Sequence, residues 1–265
     1  MCVQTAKGSI AGMVEPPPRF WELFFEVYEA LPRQGPGNRV STAKALALCR
    51  DLPVSPAVLD LGCGTGAQTL DLANLSSGSI IAIDSHAPSV ALLKARVAAK
   101  RLSEKIEVRV GDIAQLHLPP DSFDLIWSEG ALYNVGLGKA LRICHDLLRC
   151  GGYLAFTDAV WRKEDPPPEV TESFASDYPS MGFVADDLAA IEGAELSLIG
   201  HFALPDEAWW DDFYRPMQVR IAELREKYKG DAEALATLAE LATEPEMHRR
   251  HSEYYGYEFF VARRR

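Results

Sequence analysis

The 265-residue sequence lacks several features that would assign it to other protein classes. It has no apolar run of about 18 residues, so we expect no membrane-spanning helix. Its five cysteines contain no Cys-x-x-Cys spacing, which disfavours a cysteine-bound metal and indicates reduced thiols in a cytoplasm. The first twenty residues have one lysine and no continuous apolar segment. They therefore do not predict a secretory signal.

Positive charge is also scarce. Lysine and arginine number 27 against 38 acidic residues, for a net charge of −11. Because proteins bind phosphate backbones through clustered Lys and Arg, this balance argues against a nucleic-acid partner. The basic positions Arg249–Arg250 and Arg263–Arg265 near the C-terminus are interpreted as solvated surface, the latter as a tail.

The most informative segment that is present is a glycine-rich turn after a buried strand. Residues 57–61 form an apolar run interrupted by Asp60, and Gly62, Gly64 and Gly66 follow on alternate positions. Glycine allows positive φ and close approach of the backbone to a ligand. Residues 67–75 read as the following helix, so the segment predicts a strand–turn–helix nucleotide site. A dinucleotide fingerprint fits the same glycines.

Further strands and helices alternate after this turn, which predicts a parallel α/β sheet. A second strand ends in an acid, Asp84, and a third is followed by Gly111 and Asp112. A fourth strand runs into Ser128 and Glu129. The predicted elements are strands at 79–84, 105–110, 122–127 and 153–159, a helix at 138–148 and a glycine turn at 150–152.

Five of these segments together resemble the class I S-adenosylmethionine-dependent methyltransferases, and among them the small-molecule, ubiquinone/menaquinone-like type (the methyltransferase type 11 group). They are Asp60–Gly66, Asp84, Gly111–Asp112, Phe123–Gly136 and Leu147–Asp158. The resemblance implies a Rossmann-like, doubly wound, seven-stranded and mostly parallel sheet. It also implies S-adenosylmethionine as cofactor and a small-molecule methyl acceptor.

The resemblance also implies roles for matching residues. Asp84 would hold the ribose hydroxyls, and Asp112 with Ile113 would contact the adenine. Asp60 would lie under the turn and orient it. Asp84 as a helix N-cap and Asp112 as a turn former are the structural alternatives. The full predicted cofactor set is Asp60, Gly62, Cys63, Gly64, Gly66, Asp84, Ser85, Asp112, Ile113, Ser128 and Glu129.

Methyl transfer by direct displacement needs no protein nucleophile, and a base helps only a protonated acceptor. Glu129 and Tyr133 are the predicted catalytic residues, although a purely cofactor-binding role for Glu129 is favoured. Asp177, Tyr178 and His201 are further candidate bases. No metal site is expected. His86 is expected to contact the cofactor or cap the next helix.

Four segments are predicted along the chain. Residues 1–52 form a helical extension over the cofactor cleft, with helices at 20–31 and 40–52; residues 53–204 form the core. Residues 205–255 form a helical cap inserted before the last strand, and residues 256–265 form that strand and a basic tail. The cap is expected to supply part of the substrate pocket through its large aromatic side chains: Trp209, Trp210, Phe213, Tyr214, Tyr228, Tyr254 and Tyr255.

The acceptor atom stays open between oxygen, nitrogen and carbon. Pro-Cys is absent, which disfavours cytosine-C5 methylation. The turn after the fourth strand is Ser128–Ala131 and not of the Asn/Asp-Pro-Pro-Tyr type, which disfavours adenine-N6 and glutamine methylation. A non-catalytic protein that binds the same cofactor is the alternative function. An NAD-dependent oxidoreductase is a weaker one. A homodimer is one assembly that we consider.

Overall fold

The computed structural model describes residues 17–175 and 177–265. The segment interpreted as lacking a secretory signal, including Cys2, lies mostly outside the described residues, as does the beginning of the predicted 1–52 extension. Within the described part of the chain, no helix combines the length and apolar character needed to cross a membrane.

Seven strands form one sheet in the order β3-β2-β1-β4-β5-β7-β6. β1 to β5 pair in parallel, whereas β7 is antiparallel to both β5 and β6. The predicted seven-stranded, mostly parallel sheet is confirmed. The strands are β1 (Ala57–Leu61), β2 (Ser79–Asp84), β3 (Ile106–Val110), β4 (Phe123–Glu129), β5 (Leu148–Trp161), β6 (Leu196–Ala203) and β7 (Tyr255–Arg264).

Helices cover both faces of the sheet, which explains why its central strands read as almost continuous apolar runs. Neighbouring residues of β1 belong to different cores: Val58 is part of the cluster that includes Phe24, and Leu59 is part of the cluster that includes Leu141. The helices are α1 (Pro18–Tyr28), α2 (Arg39–Leu48), α3 (Ala67–Leu75), α4 (Ala87–Ala99), α5 (Leu137–Leu147), α6 (Pro168–Ala175), α7 (Val184–Gly193), α8 (Glu207–Trp209), α9 (Arg215–Lys227), α10 (Ala232–Leu241) and α11 (Thr243–His251).

Several predicted boundaries were wrong. The glycine turn expected at 150–152 lies inside β5, which begins at Leu148. Gly151 has φ of 79° and the pairing with β4 shifts between Phe123 and Leu125, so the strand bends without ending. α2 ends at Leu48, not at residue 52, because the backbone of Cys49 leaves the helical conformation with φ of −85° and ψ of 64°.

The arginines at the C-terminus do not form a solvated tail. Arg263 and Arg264 continue β7, and the Arg263 guanidinium donates to the carbonyl of Gly151 at 2.8 Å. Arg263 also pairs with Asp51 at 2.7 Å, and Arg264 pairs with Asp121. These ion pairs fasten the last strand to neighbouring loops.

The helical segment between β6 and β7 packs against α1. Glu26 of α1 accepts hydrogen bonds from Lys227 at 2.5 Å and from the Tyr228 hydroxyl at 2.8 Å, and Arg19 pairs with Asp231 at 3.0 Å. These contacts hold α1 against the helical segment between β6 and β7. Within this segment a π-helical turn at Trp210–Tyr214 lies between α8 and α9.

Candidate active site

A cleft lies at the carboxyl ends of β1, β2, β3 and β4. The strand order reverses at β1, which has β2 on one side and β4 on the other. Open α/β sheets bind ligands at such a switch point. Nine residues of the predicted cofactor set line the cleft: Gly62, Cys63, Gly64, Gly66, Asp84, Ser85, Asp112, Ile113 and Glu129.

The three glycines of the loop after β1 all adopt left-handed backbone. Their φ values are 72° at Gly62, 51° at Gly64 and 90° at Gly66. A methyl group added at Gly62 would stand 2.2 Å from Cβ of Ala131, and one at Gly66 would stand 2.0 Å from Leu93. The loop therefore requires glycine both for its backbone conformation and for its close packing.

Asp84 closes the end of β2 and anchors the glycine loop. Its Oδ2 accepts a hydrogen bond from the Gly64 amide at 2.8 Å, and its Oδ1 accepts one from the His86 amide at 2.8 Å. The carboxylate is half-buried and lines the cleft. Each carboxylate oxygen has more than one lone pair, so Asp84 can also accept from ligand hydroxyls.

Asp112 lies at the end of β3 and shapes the other side of the cleft. Its Oδ1 accepts from the Ala114 amide at 2.8 Å, which caps a short 3-10 helix at Ile113–Gln115. The side chain is exposed and lines the cleft beside Ile113. Asp112 therefore both forms the turn and lines the cleft.

Asp60 and Ser128, the other two members of the set, lie beneath the cleft and do not line it. Asp60 accepts from the Thr69 hydroxyl at 2.5 Å and from the Gln68 amide at 3.4 Å. Burial raises the pKa of Asp60 to about 7. The Ser128 hydroxyl donates to the Leu61 carbonyl at 2.8 Å. Both side chains are buried: Asp60 is hydrogen-bonded to the first turn of α3, and Ser128 is hydrogen-bonded to the end of β1.

Glu129 is held by three donors at the end of β4. Its carboxylate accepts from Arg33 at 2.8 Å, from the Trp127 indole at 2.9 Å and from the Thr42 hydroxyl at 3.1 Å. Arg33 also pairs with Asp71 at 2.7 Å. These bonds fix Glu129 in place and bring the N-terminal segment to the cleft.

Sequence reasoning missed Arg33 and Gln34. Gln34 Oε1 accepts the Thr65 amide at 2.9 Å, directly in front of the glycine loop. The available signal was local: both residues begin the Gly-Pro-Gly break between α1 and α2. His86 stacks on Phe25 of α1 with ring centroids 3.8 Å apart, and its Nε2 lies 2.7 Å from Glu29. It lines the cleft and also precedes α4 at the N-cap position.

A second cavity adjoins the cleft, and Pro36 and Tyr257 line both. Its wall comes from β5, β7, α6, the loop after α6 and the helical segment between β6 and β7. Of the candidate catalytic residues, Tyr133, Asp177 and Tyr178 lie here. His201 lines neither of these two cavities; its Nδ1 is 2.5 Å from Glu258 on the neighbouring β7.

Behind this second cavity lies a buried acid that the sequence did not single out. The Tyr178 hydroxyl donates to Asp158 at 2.7 Å, and the Tyr178 ring packs on Tyr133 with centroids 4.8 Å apart. Burial raises the pKa of Asp158 to about 7. Burial and the nearby Asp158 also raise the pKa of Asp187, to about 8.

Residues 58–152 match the family described as a methyltransferase domain. Over this segment the chain is similar to methyltransferases. The predicted resemblance to class I methyltransferases is confirmed. The matched segment includes the glycine loop, Asp84, Asp112 and Glu129, so the family covers the main part of the cleft.

Individual relatives extend this finding. The methyltransferase GfsG of Streptomyces halstedii is 28% identical over 154 residues, covering 56% of this chain and 55% of that protein. A methyltransferase from Geobacter sulfurreducens in complex with S-adenosyl-L-homocysteine has a TM-score of 0.79 at 20% identity, covering 96% of this chain and all of that one. The [4+2]-cyclase SpnF has a TM-score of 0.66 at 19% identity, covering 84% and 81%.

The chain spans about half the length of the curated relatives that it matches. The solved structures share the fold at low identity, and they include both a methyltransferase and a cyclase. The fold is therefore the same over nearly the whole chain, including its cap.

Proposed function

We propose that this protein binds S-adenosylmethionine in the cleft and transfers its methyl group to a small molecule held in the second cavity. The observation that carries the proposal is the set of acids at the carboxyl ends of β2, β3 and β4, Asp84, Asp112 and Glu129, beside the loop of left-handed glycines that follows β1. A sulfonium nucleoside supplies the complementary groups, namely a cationic sulfur and ribose hydroxyl donors.

The same loop is poorly suited to the diphosphate of NAD. A phosphate needs free amides at the helix N-terminus. Here the Gly64 amide donates to Asp84 and the Thr65 amide donates to Gln34. The Asp84 carboxylate would also repel a phosphate. The basic side chains among the described residues of the cleft, Arg33 and His86, are paired with acids. These contacts disfavour the oxidoreductase alternative.

Each residue of the cleft then has a role toward the cofactor. Asp84 would accept the ribose hydroxyls, and Asp112 with Ile113 would border the adenine. Glu129 is fixed by Arg33, so it would orient the methionine end and favour the positive charge on sulfur. Asp60 would act through the loop, because it lies beneath it. The cleft therefore fits the predicted cofactor.

The chemistry is a displacement at carbon. A lone pair of the acceptor attacks the methyl carbon, the carbon–sulfur bond breaks, and its electron pair stays on sulfur. The products are the methylated acceptor and S-adenosylhomocysteine, and a proton on the acceptor atom leaves to a base or to water. Because Pro36 and Tyr257 line both the cleft and the second cavity, the acceptor and the methyl group of the cofactor would lie next to each other at these residues. Holding the reacting atoms in line lowers the entropic part of the barrier.

Titration calorimetry with S-adenosylhomocysteine tests the cofactor assignment. We expect saturable binding to the wild type and none of NAD. Asp84→Ala should weaken the affinity at least about tenfold, since it removes the acceptor for two ribose donors. Asp146→Ala is the matched control, because that carboxylate is 76% exposed on α5. Failure of the wild type to bind S-adenosylhomocysteine would refute the proposal.

A cofactor-binding protein without methyl transfer is the second candidate, and it is favoured by the likeness to a cyclase of the same fold. Mass spectrometry of a metabolite panel incubated with S-adenosylmethionine decides between them: a gain of one methyl group on any compound excludes this candidate. The homodimer and the cytoplasmic location stay predictions. Sedimentation velocity tests the first, and fractionation of source cells tests the second.

A further inference from the structure

The second cavity is walled mainly by aromatic rings. Trp209 meets Tyr257 edge-on at 5.3 Å and packs against Tyr214 at 5.9 Å, measured between ring centroids. Phe174 meets Tyr255 edge-on at 4.8 Å. The rings come from α6, the cap and β7, so separate parts of the chain converge on one small space.

The ionisable side chains in this wall are acids and tyrosines. Glu244 of α11 is 7% exposed, and it accepts hydrogen bonds from the Tyr28 hydroxyl at 2.8 Å and the Tyr214 hydroxyl at 3.2 Å. Asp177 also lines the cavity. None of the described residues that line the cavity is Lys, Arg or His. Burial and the Glu244 charge raise the pKa of Tyr214, so this phenol stays a neutral donor.

We infer that the cavity binds a small organic cation, an amine or ammonium with apolar substituents, and that the methyl acceptor is a compound of this class. Ring faces attract a cation through their quadrupole, most strongly where water is excluded. A buried carboxylate adds a charge of the right sign. A carboxylate or phosphate group in the same place would be repelled by Glu244. The binding of a cation does not depend on the proposed function; only the identification of the methyl acceptor as such a cation rests on it.

If the acceptor is an amine, the bound ammonium first gives one proton to a base or to water, which frees the nitrogen lone pair. That pair forms the bond to the methyl carbon, and the pair of the broken carbon–sulfur bond stays on sulfur. The product is a methylated ammonium, which keeps the positive charge that the cavity favours.

Two probes of equal shape test the binding step without any turnover. Choline carries a quaternary ammonium, and 3,3-dimethylbutan-1-ol replaces that nitrogen with carbon. With the wild-type protein saturated with S-adenosylhomocysteine, we expect choline to bind at least about tenfold more tightly by calorimetry. Equal affinities, or tighter binding of the neutral alcohol, would overturn the inference.

Variants locate the effect in this cavity. Glu244→Gln should bring the ratio of the two affinities close to one. Glu246→Gln on the same helix should leave it unchanged, because Glu246 is 50% exposed and does not line the cavity. A ratio that persists in Glu244→Gln would overturn the assignment. Should that variant lose its fold, Trp209→Leu provides a second test with the same expected direction.

The two proposals fail separately. If S-adenosylhomocysteine binds and choline shows no advantage over the alcohol, only the cationic acceptor is refuted. If choline shows the advantage in apo protein while S-adenosylhomocysteine does not bind, the cavity keeps its ligand class and the proposed methyl transfer is refuted.

Discussion

At the scale of single residues, Gly62 has a more demanding position than its place in a flexible-looking turn suggests. It combines a φ of 72° with contact against Ala131, the residue two positions after Glu129. The loop after β1 and the loop after β4 therefore touch at this point. A side chain here would separate the two walls of the cleft.

Substitutions at Gly62 and Ala131 separate the requirement for left-handed backbone at Gly62 from the requirement for close packing against Ala131. Gly62→Ala should weaken S-adenosylhomocysteine binding at least about tenfold, because it adds a methyl group 2.2 Å from Cβ of Ala131 and strains the backbone. The double variant Gly62→Ala/Ala131→Gly should recover part of the affinity by removing the clash. Gly138→Ala is the control, since a methyl group there would meet only an atom of Arg142 at 3.8 Å. Wild-type affinity of Gly62→Ala by calorimetry would contradict this account.

Some site residues could be predicted from local sequence, whereas others are recognisable only in the folded chain. Glycines and strand-end acids were predicted because their type and local position suffice to define them. Arg33 was missed because its partners Asp71 and Glu129 are 38 and 96 residues away, and only the folded chain brings them together. Asp60 and Ser128 were predicted to contact cofactor. Whether such a residue reaches the cleft depends on the direction of its side chain at the end of the strand, and neither Asp60 nor Ser128 lines the cleft.

At the scale of elements, the segment between α1 and α2 connects the extension to the core. Arg33 lies at its centre, and its side chain is 6% exposed between Asp71 and Glu129. Arg33→Met should destabilise the fold by about 3 kcal/mol in urea unfolding followed by tryptophan fluorescence. The reason is that Glu129 would keep a buried charge without its cation.

Two comparisons check this reason. Arg39→Met removes the other partner of Asp71, but Arg39 is 54% exposed, so the loss should stay below about 1 kcal/mol. Arg33→Met/Glu129→Gln should recover much of the stability lost in Arg33→Met. Equal destabilisation in the single and double variants would show that the contribution of Arg33 is packing and not charge pairing.

Regular elements were predicted most closely where local pattern alone determines them. The bounds of α3 and β2 agree with the sequence, because each has a clear period and a defined end. The π-helical turn at Trp210–Tyr214 was missed. Its cause is tertiary, since Phe213 and Tyr214 are buried against α1 and α11, and helical periodicity does not register such packing.

At the scale of the whole molecule, three buried acids link stability to pH. The pKa values of Asp60 and Asp158 are raised to about 7, and that of Asp187 to about 8, from 3.8, with burial as the main cause in each case. Between pH 4 and these values the native state binds more protons than the unfolded chain. The free energy of unfolding should therefore fall as the pH rises across this window.

Asp187 allows this linkage to be measured at one site, because its Oδ2 is buried and has no hydrogen-bond partner among the described residues. Asp187→Asn cannot ionise. Its free energy of unfolding should fall less steeply than that of the wild type between pH 5 and pH 7.5, by up to about 1.4 kcal/mol per pH unit. Urea unfolding at several pH values gives both slopes. The exposed Glu226→Gln is the control and should keep the wild-type slope. Parallel slopes for Asp187→Asn and the wild type would mean that Asp187 is already ionised in the native protein, and that burial does not hold it neutral.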